Sequence, residues 1–114
     1  MMPKVYRLRS SRSFDVVYKK GKSIANSTLV LTTLAGKTPM PKVGFVVGKK
    51  VGKAVYRNKV KRRLRAIFAS LLPYVEGHTS YIVVARTGSV DCTYAQLERS
   101  LTSLLDKSGK LHRT

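Results

Sequence analysis

Apolar positions recur along the chain with two different periods, and the switches between them mark out the elements. After Ser11, a candidate N-cap, Phe14, Val17 and Tyr18 follow at helical spacing, and Gly21 closes that helix. Residues 28–34 are β-branched and apolar and predict a strand, with turn-forming residues over 36–41 behind it. A short extended piece over 22–25 precedes that strand, and residues 43–47 read as another, ending at Gly48. Helical spacing returns over 54–72, where Val60, Leu64, Ile67 and Leu71 share one side, and Pro73 stops the helix. The run 81–85 is apolar throughout, the pattern of a strand covered on both faces. Thr93 and Gln96 form a capping box for a last helix, whose buried stripe is Leu97, Leu101, Leu104 and Leu105.

The resulting order, α-β-β-β-α-β-α, predicts an α+β sandwich: a four-stranded sheet with helices packed on it, in one domain over residues 1–114. The tails, residues 1–6 and 108–114, are expected to be flexible. The path from strand 43–47 through the long helix to strand 81–85 is long enough to join parallel neighbours, with a right-handed crossover as the default. A chain of 114 residues with 43% hydrophobic and 25% charged residues sustains a core and is not disordered. One cysteine, Cys92, allows no internal disulfide and no cysteine-based zinc site, which suits a reducing cytosol. No apolar run approaches the roughly 18 residues of a membrane span. Residues 1–9 lack the apolar stretch of a secretion signal, so a cytoplasmic protein is expected.

Charge changes this picture most. There are 23 Lys and Arg against 5 Asp and Glu, a net charge of +18. Residues 1–65 hold 18 of the basic residues and one acid, Asp15, whereas residues 66–114 hold five basics and four acids. Nine basic residues and no acid fall within 49–65. A solvated helix face normally interleaves both signs, so this excess calls for a polyanion, and nucleic acid is the expected partner. A lipid surface is disfavoured because no long basic helix carries a Trp/Phe/Leu face. On the 54–72 helix, Arg57, Lys61 and Arg65 form a cationic ridge at i, i+4 and i+8, with Asn58 and Arg62 beside it. Guanidinium forks pair bidentately with phosphate, and lysines act as point charges. Asn58 is open to two roles, a specific hydrogen bond or an idle surface amide. Ahead of the helix, Lys49, Lys50 and Lys53 lie among Gly48 and Gly52, where backbone amides can approach a phosphate.

The stretch from Lys49 to Arg65 closely resembles the RNR signature of the bacterial ribonuclease P protein subunit. Arg57, Asn58, Lys61, Arg62 and Arg65 satisfy it, and Lys59 replaces its second arginine with charge retained. Arg7-Leu-Arg9, then 14–18 and Gly21, and Tyr81-Ile-Val-Val-Ala-Arg86 are similar to the same family, so the likeness runs from Tyr6 to Lys107. It implies an α-β-β-β-α-β-α fold with a left-handed crossover, against the general default. It also implies a ribonucleoprotein in which a large catalytic RNA uses Mg2+ to remove the 5′ leader of precursor tRNA. By that resemblance the protein is expected to bind that RNA through Lys49, Lys50, Lys53, Arg57, Asn58, Lys59, Lys61, Arg62 and Arg65. It is likewise expected to hold the single-stranded leader in a cleft, with no metal of its own and no obligate protein partner.

For that cleft, Phe14 and Tyr18 match the family's aromatic positions on the first helix, Val30 and Thr32 alternate onto one sheet face, and Val46 matches the next strand. Thr32 stands where relatives often carry an aromatic. Phe14 and Val30 are equally open to a core role. Aromatic rings beside cations are the usual platform for sequence-tolerant single-strand binding. An autonomous nuclease would need clustered carboxylates for metal ions, and Asp15, Glu76, Asp91, Glu98 and Asp106 are scattered. His78 falls in a turn and His112 in the tail, so neither is expected to act in acid–base chemistry, and Cys92 is expected to pack at a strand–helix junction. The competing class is a structural RNA binder of the ribosomal-protein kind with no part in turnover. A helix-turn-helix DNA reader is disfavoured because strands, not a short helix and tight turn, precede Ala54.

Overall fold

The computed structural model describes residues 6–36 and 39–112. The elements follow the order read from the pattern: α1 (Ser11–Lys20), β1 (Lys22–Ala25), β2 (Leu29–Ala35), β3 (Lys42–Val47), α2 (Ala54–Leu71), β4 (Thr79–Ala85) and α3 (Tyr94–Lys107). The four strands form one sheet in the order β1-β2-β4-β3. β1 and β4 each pair antiparallel with β2, while β3 and β4 are parallel neighbours joined through α2.

One face of the sheet carries the core. Leu29 and Leu31 of β2, Val43 of β3, and Tyr81, Val83 and Ala85 of β4 meet Val60, Leu64, Ile67 and Leu71 of α2 and the four leucines of α3. Each fully buried leucine contributes about 1.5–3 kcal/mol of transfer free energy. Phe68, next to Ile67 on α2, is fully buried as well and edges onto both Phe45 and Tyr81, with ring centroids 6.1 and 5.4 Å away. The Tyr81 hydroxyl donates to the Glu76 carbonyl at 2.6 Å, and burial raises the pKa of the phenol. β4 begins two residues before its apolar run, because Thr79 and Ser80 pair with Ala35 and Leu34.

Three local expectations are corrected. The N-cap of α1 is Ser10, not Ser11: Ser10 is extended and its hydroxyl accepts the Ser13 amide at 3.1 Å. At the other end of the chain, residues 108–112 are not a frayed tail. Leu111 packs against the core and bridges Val75, the Glu76 amide donates to Lys110 O at 2.8 Å, and the His112 amide donates to Tyr74 O at 2.6 Å. At the N-terminus, Tyr6 packs on the core and the Leu8 amide donates to Val43 O at 2.9 Å, which ties this segment to the outer edge of β3. The remaining expected tail residues, 1–5, 113 and 114, lie outside the described residues. The capping box of α3 is formed, with the Gln96 amide on Thr93 Oγ1 and the Thr93 amide on Gln96 Oε1. Among the described residues no helix is long and apolar enough to cross a membrane.

Candidate nucleic-acid interface

The second face of the sheet presents three rows, set by strand register. They are Val30–Val84–Val46, Thr32–Ile82–Gly44 and Leu34–Ser80–Lys42. α1 lies across the middle row. Its Val17 is 2% exposed, and beneath it Thr32, Ile82 and Gly44 are buried. A Cβ on Gly44 would fall 2.6 Å from Phe14 Cε1 and closer still to Cζ, so only glycine admits the ring at that point of β3. Thr32 is therefore not part of an open surface. It is 1% exposed, lies under the α1–β1 junction near Gly21, and shares a 2.7 Å hydrogen bond with Ser23 Oγ.

The first row stays open. Val30, Val84 and Val46 are each half-buried, and α1 stands beside them with Phe14 half-buried and Tyr18 exposed at 47%. These residues form a shallow apolar platform with an aromatic wall. Val84 belongs to it, between Val30 and Val46 in register, although the reading of the sequence passed over it. A continuous apolar run does not reveal which of its residues alternate outward, and only pairing with β2 and β3 does.

The basic helix meets this platform at the edge of β3. Lys61 and Arg65 line a pocket of about 190 Å³ together with Arg7, Phe14 and Phe45. The expected ridge is consequently not a solvated one: Arg57, Lys61 and Arg65 are half-buried, and Arg57 Nε is buried with no hydrogen-bond partner among the described residues. The side of α2 that faces water carries Asn58, Lys59 and Arg62. Arg63 has a structural task, donating to Cys92 O at 3.2 Å and so pinning α2 to the segment before α3. Val51, 7% exposed, anchors a 3-10 turn over Lys49–Val51, and Gly52 follows at φ +145°, a conformation that L side chains rarely adopt. That turn leaves Lys49, Lys50 and Lys53 exposed at the start of α2, whose first-turn amides have no side-chain cap.

No three His, Cys, Asp or Glu side chains gather among the described residues. His112 hydrogen-bonds the Glu76 carboxylate and holds it below the usual carboxylate range. Cys92 is half-buried just before α3, within 3.4 Å of Gly88 O.

An aromatic-walled apolar platform joined across a strand edge to a cationic helix defines a small α+β RNA-binding protein. The ribonuclease P family profile matches residues 2–109. The ribonuclease P protein component of Symbiobacterium thermophilum is 39% identical over 113 residues, 98% of each chain, and that of Geobacillus kaustophilus is 37% identical over 98% of this chain and 93% of its own. The structure superposes on the RNase P protein of Staphylococcus aureus with a TM-score of 0.89 at 34% identity, covering 96% of this chain and all of that one. For the Thermotoga maritima RNase P protein the TM-score is 0.81 at 30% identity, over 89% and 96% of the two chains. The chain belongs to the ribonuclease P protein family. It is thus the protein component of an endoribonuclease holoenzyme and partners an RNase P RNA, which sets aside a ribosomal-type structural protein.

Proposed function

We propose that the platform holds the single-stranded 5′ leader of precursor tRNA while α2 and its lead-in grip the RNase P RNA. The observation that carries this reading is the meeting of platform and helix at one edge, where Phe14 shares a pocket with Lys61 and Arg65. Bases laid along Val30, Val84 and Val46 stack against Phe14 and Tyr18, and their phosphates come within reach of Lys61 and Arg65. The outward Lys59 and Arg62, with Lys49, Lys50, Lys53 and Arg57, neutralise phosphates of the large RNA, and the uncharged Asn58 beside them offers its amide as a hydrogen-bond donor. Phosphodiester hydrolysis would belong to that RNA, with Mg2+ held by the RNA supplying the metal-ion chemistry and this chain contributing binding. The scattered carboxylates support that division, since among the described residues no three His, Cys, Asp or Glu side chains gather where a divalent ion could sit. The protein raises the local concentration of substrate at the RNA's active centre and works in the cytoplasm, in keeping with its single unpaired cysteine.

Tyr18→Ala in the reconstituted particle tests the platform. Stacking one base contributes about 1–3 kcal/mol. Precursor affinity should fall by that amount with the salt slope unchanged, and affinity for mature tRNA should hold. Equal loss for both tRNAs from a folded variant would return Tyr18 to a purely structural role.

A further inference from the structure

α1 has two walls, and only one faces the platform. With Val17 on the sheet, Phe14 and Tyr18 project to one side at i and i+4, while Arg12, Val16 and Lys20 project to the other at i, i+4 and i+8. This second wall overhangs the third row of the sheet, Leu34–Ser80–Lys42. Between them runs a groove of about 780 Å³. Arg7, Arg9, Arg12, Lys20 and Lys42 line it around a floor that includes Leu34, and no acidic side chain of the described residues does.

Arg7 also lines the separate pocket of Lys61 and Arg65. A small anion needs one cluster of donors, whereas five cations spread along one groove match the repeating charge of a phosphodiester chain. We infer that the groove behind α1 binds backbone phosphates of the RNase P RNA, as a track separate from the leader platform. α1 is then a partition, with substrate on its aromatic side and the RNA subunit on its basic side. This inference rests on the family's RNA partner and not on the leader assignment.

The test is binding of the protein to RNase P RNA across a salt series, with Arg12→Gln, Lys20→Gln and, as a control of equal charge on α3, Arg99→Gln. Each groove variant should weaken binding roughly tenfold, as loss of a charge-assisted contact does. Each should also flatten the plot of log K against log salt by about 0.7–0.9, the share of one phosphate. Arg99→Gln should leave the slope as it is. The swap Arg12→Lys/Lys20→Arg keeps both charges and should keep the slope, which separates charge from folding. In the particle, the ratio of precursor to mature tRNA affinity should not change in any of these variants. Slopes that move no more than in Arg99→Gln would overturn the inference. So would a loss confined to leader-bearing precursor, which would make the groove part of the leader path. Failure of the Tyr18 prediction would leave this result untouched.

Discussion

Gly44→Ala probes how the platform is built, because one methyl group is set against one ring. Its Cβ would lie 2.6 Å or less from two ring atoms of Phe14, whereas ordinary contact begins at 3.4 Å, so the ring must retreat by about 1 Å. Overpacking of this kind costs about 1–3 kcal/mol. Glycine inside a strand is itself worse than alanine by about 0.5–1 kcal/mol. With Phe14 already truncated, Gly44→Ala should therefore stabilise the protein slightly. The glycine term is common to both backgrounds and cancels, so the two substitutions should couple by about 1–3 kcal/mol in a double-mutant cycle read by urea unfolding. For a domain of this size each kcal/mol moves Tm by about 4 °C, so thermal melts will resolve the sign. In the particle, Gly44→Ala should also weaken precursor binding, since the displaced ring no longer lines the platform. Equal effects of Gly44→Ala with and without Phe14 would refute the packing of α1 on β3.

Other substitutions separate surface from support. Arg62→Ala should cost about 1–3 kcal/mol of RNA affinity with no change in Tm, whereas half-buried Arg57 should lower both, and an unshifted Tm for Arg57→Ala would contradict its placement. The Glu76–His112 contact has a pH signature. A carboxylate held below its ordinary range stabilises the docked tail above the unfolded value and loses that contribution as pH falls through the folded value. Amide shifts of Leu111 and His112 should titrate with a midpoint below the ordinary carboxylate range, and Glu76→Gln should abolish that step. Persistence of the step in Glu76→Gln would assign it to another group.

How much of this was legible in the sequence depended on how local each signal was. The stripes of α2 and α3 and the α3 capping box are local, and all their residues fall where the periodicity puts them. The parallel pairing of β3 and β4 followed from the length of the path between them. Thr32 was misjudged because alternation gives the face of a residue but not the line along which a helix crosses that face. Val84 was missed for the same reason in reverse: its run is apolar on both sides, and only register with Val30 and Val46 shows that it is open. Arg57, Lys61 and Arg65 share one side of α2 as their spacing predicts, but they are half-buried, because a helical wheel does not show that the β3 edge comes up against them. The docking of Leu111 on Val75 spans 36 positions and has no local signature at all.

In the proposed division of labour this chain supplies binding and the RNA supplies chemistry. The most direct measurement is cleavage of precursor tRNA at low magnesium by purified protein alone, by RNase P RNA alone, and by the two together. RNA and protein together should release the 5′ leader faster than RNA alone, while RNA-free protein should leave the precursor intact at every magnesium concentration. Site-specific, magnesium-dependent cleavage by protein of verified purity would contradict it.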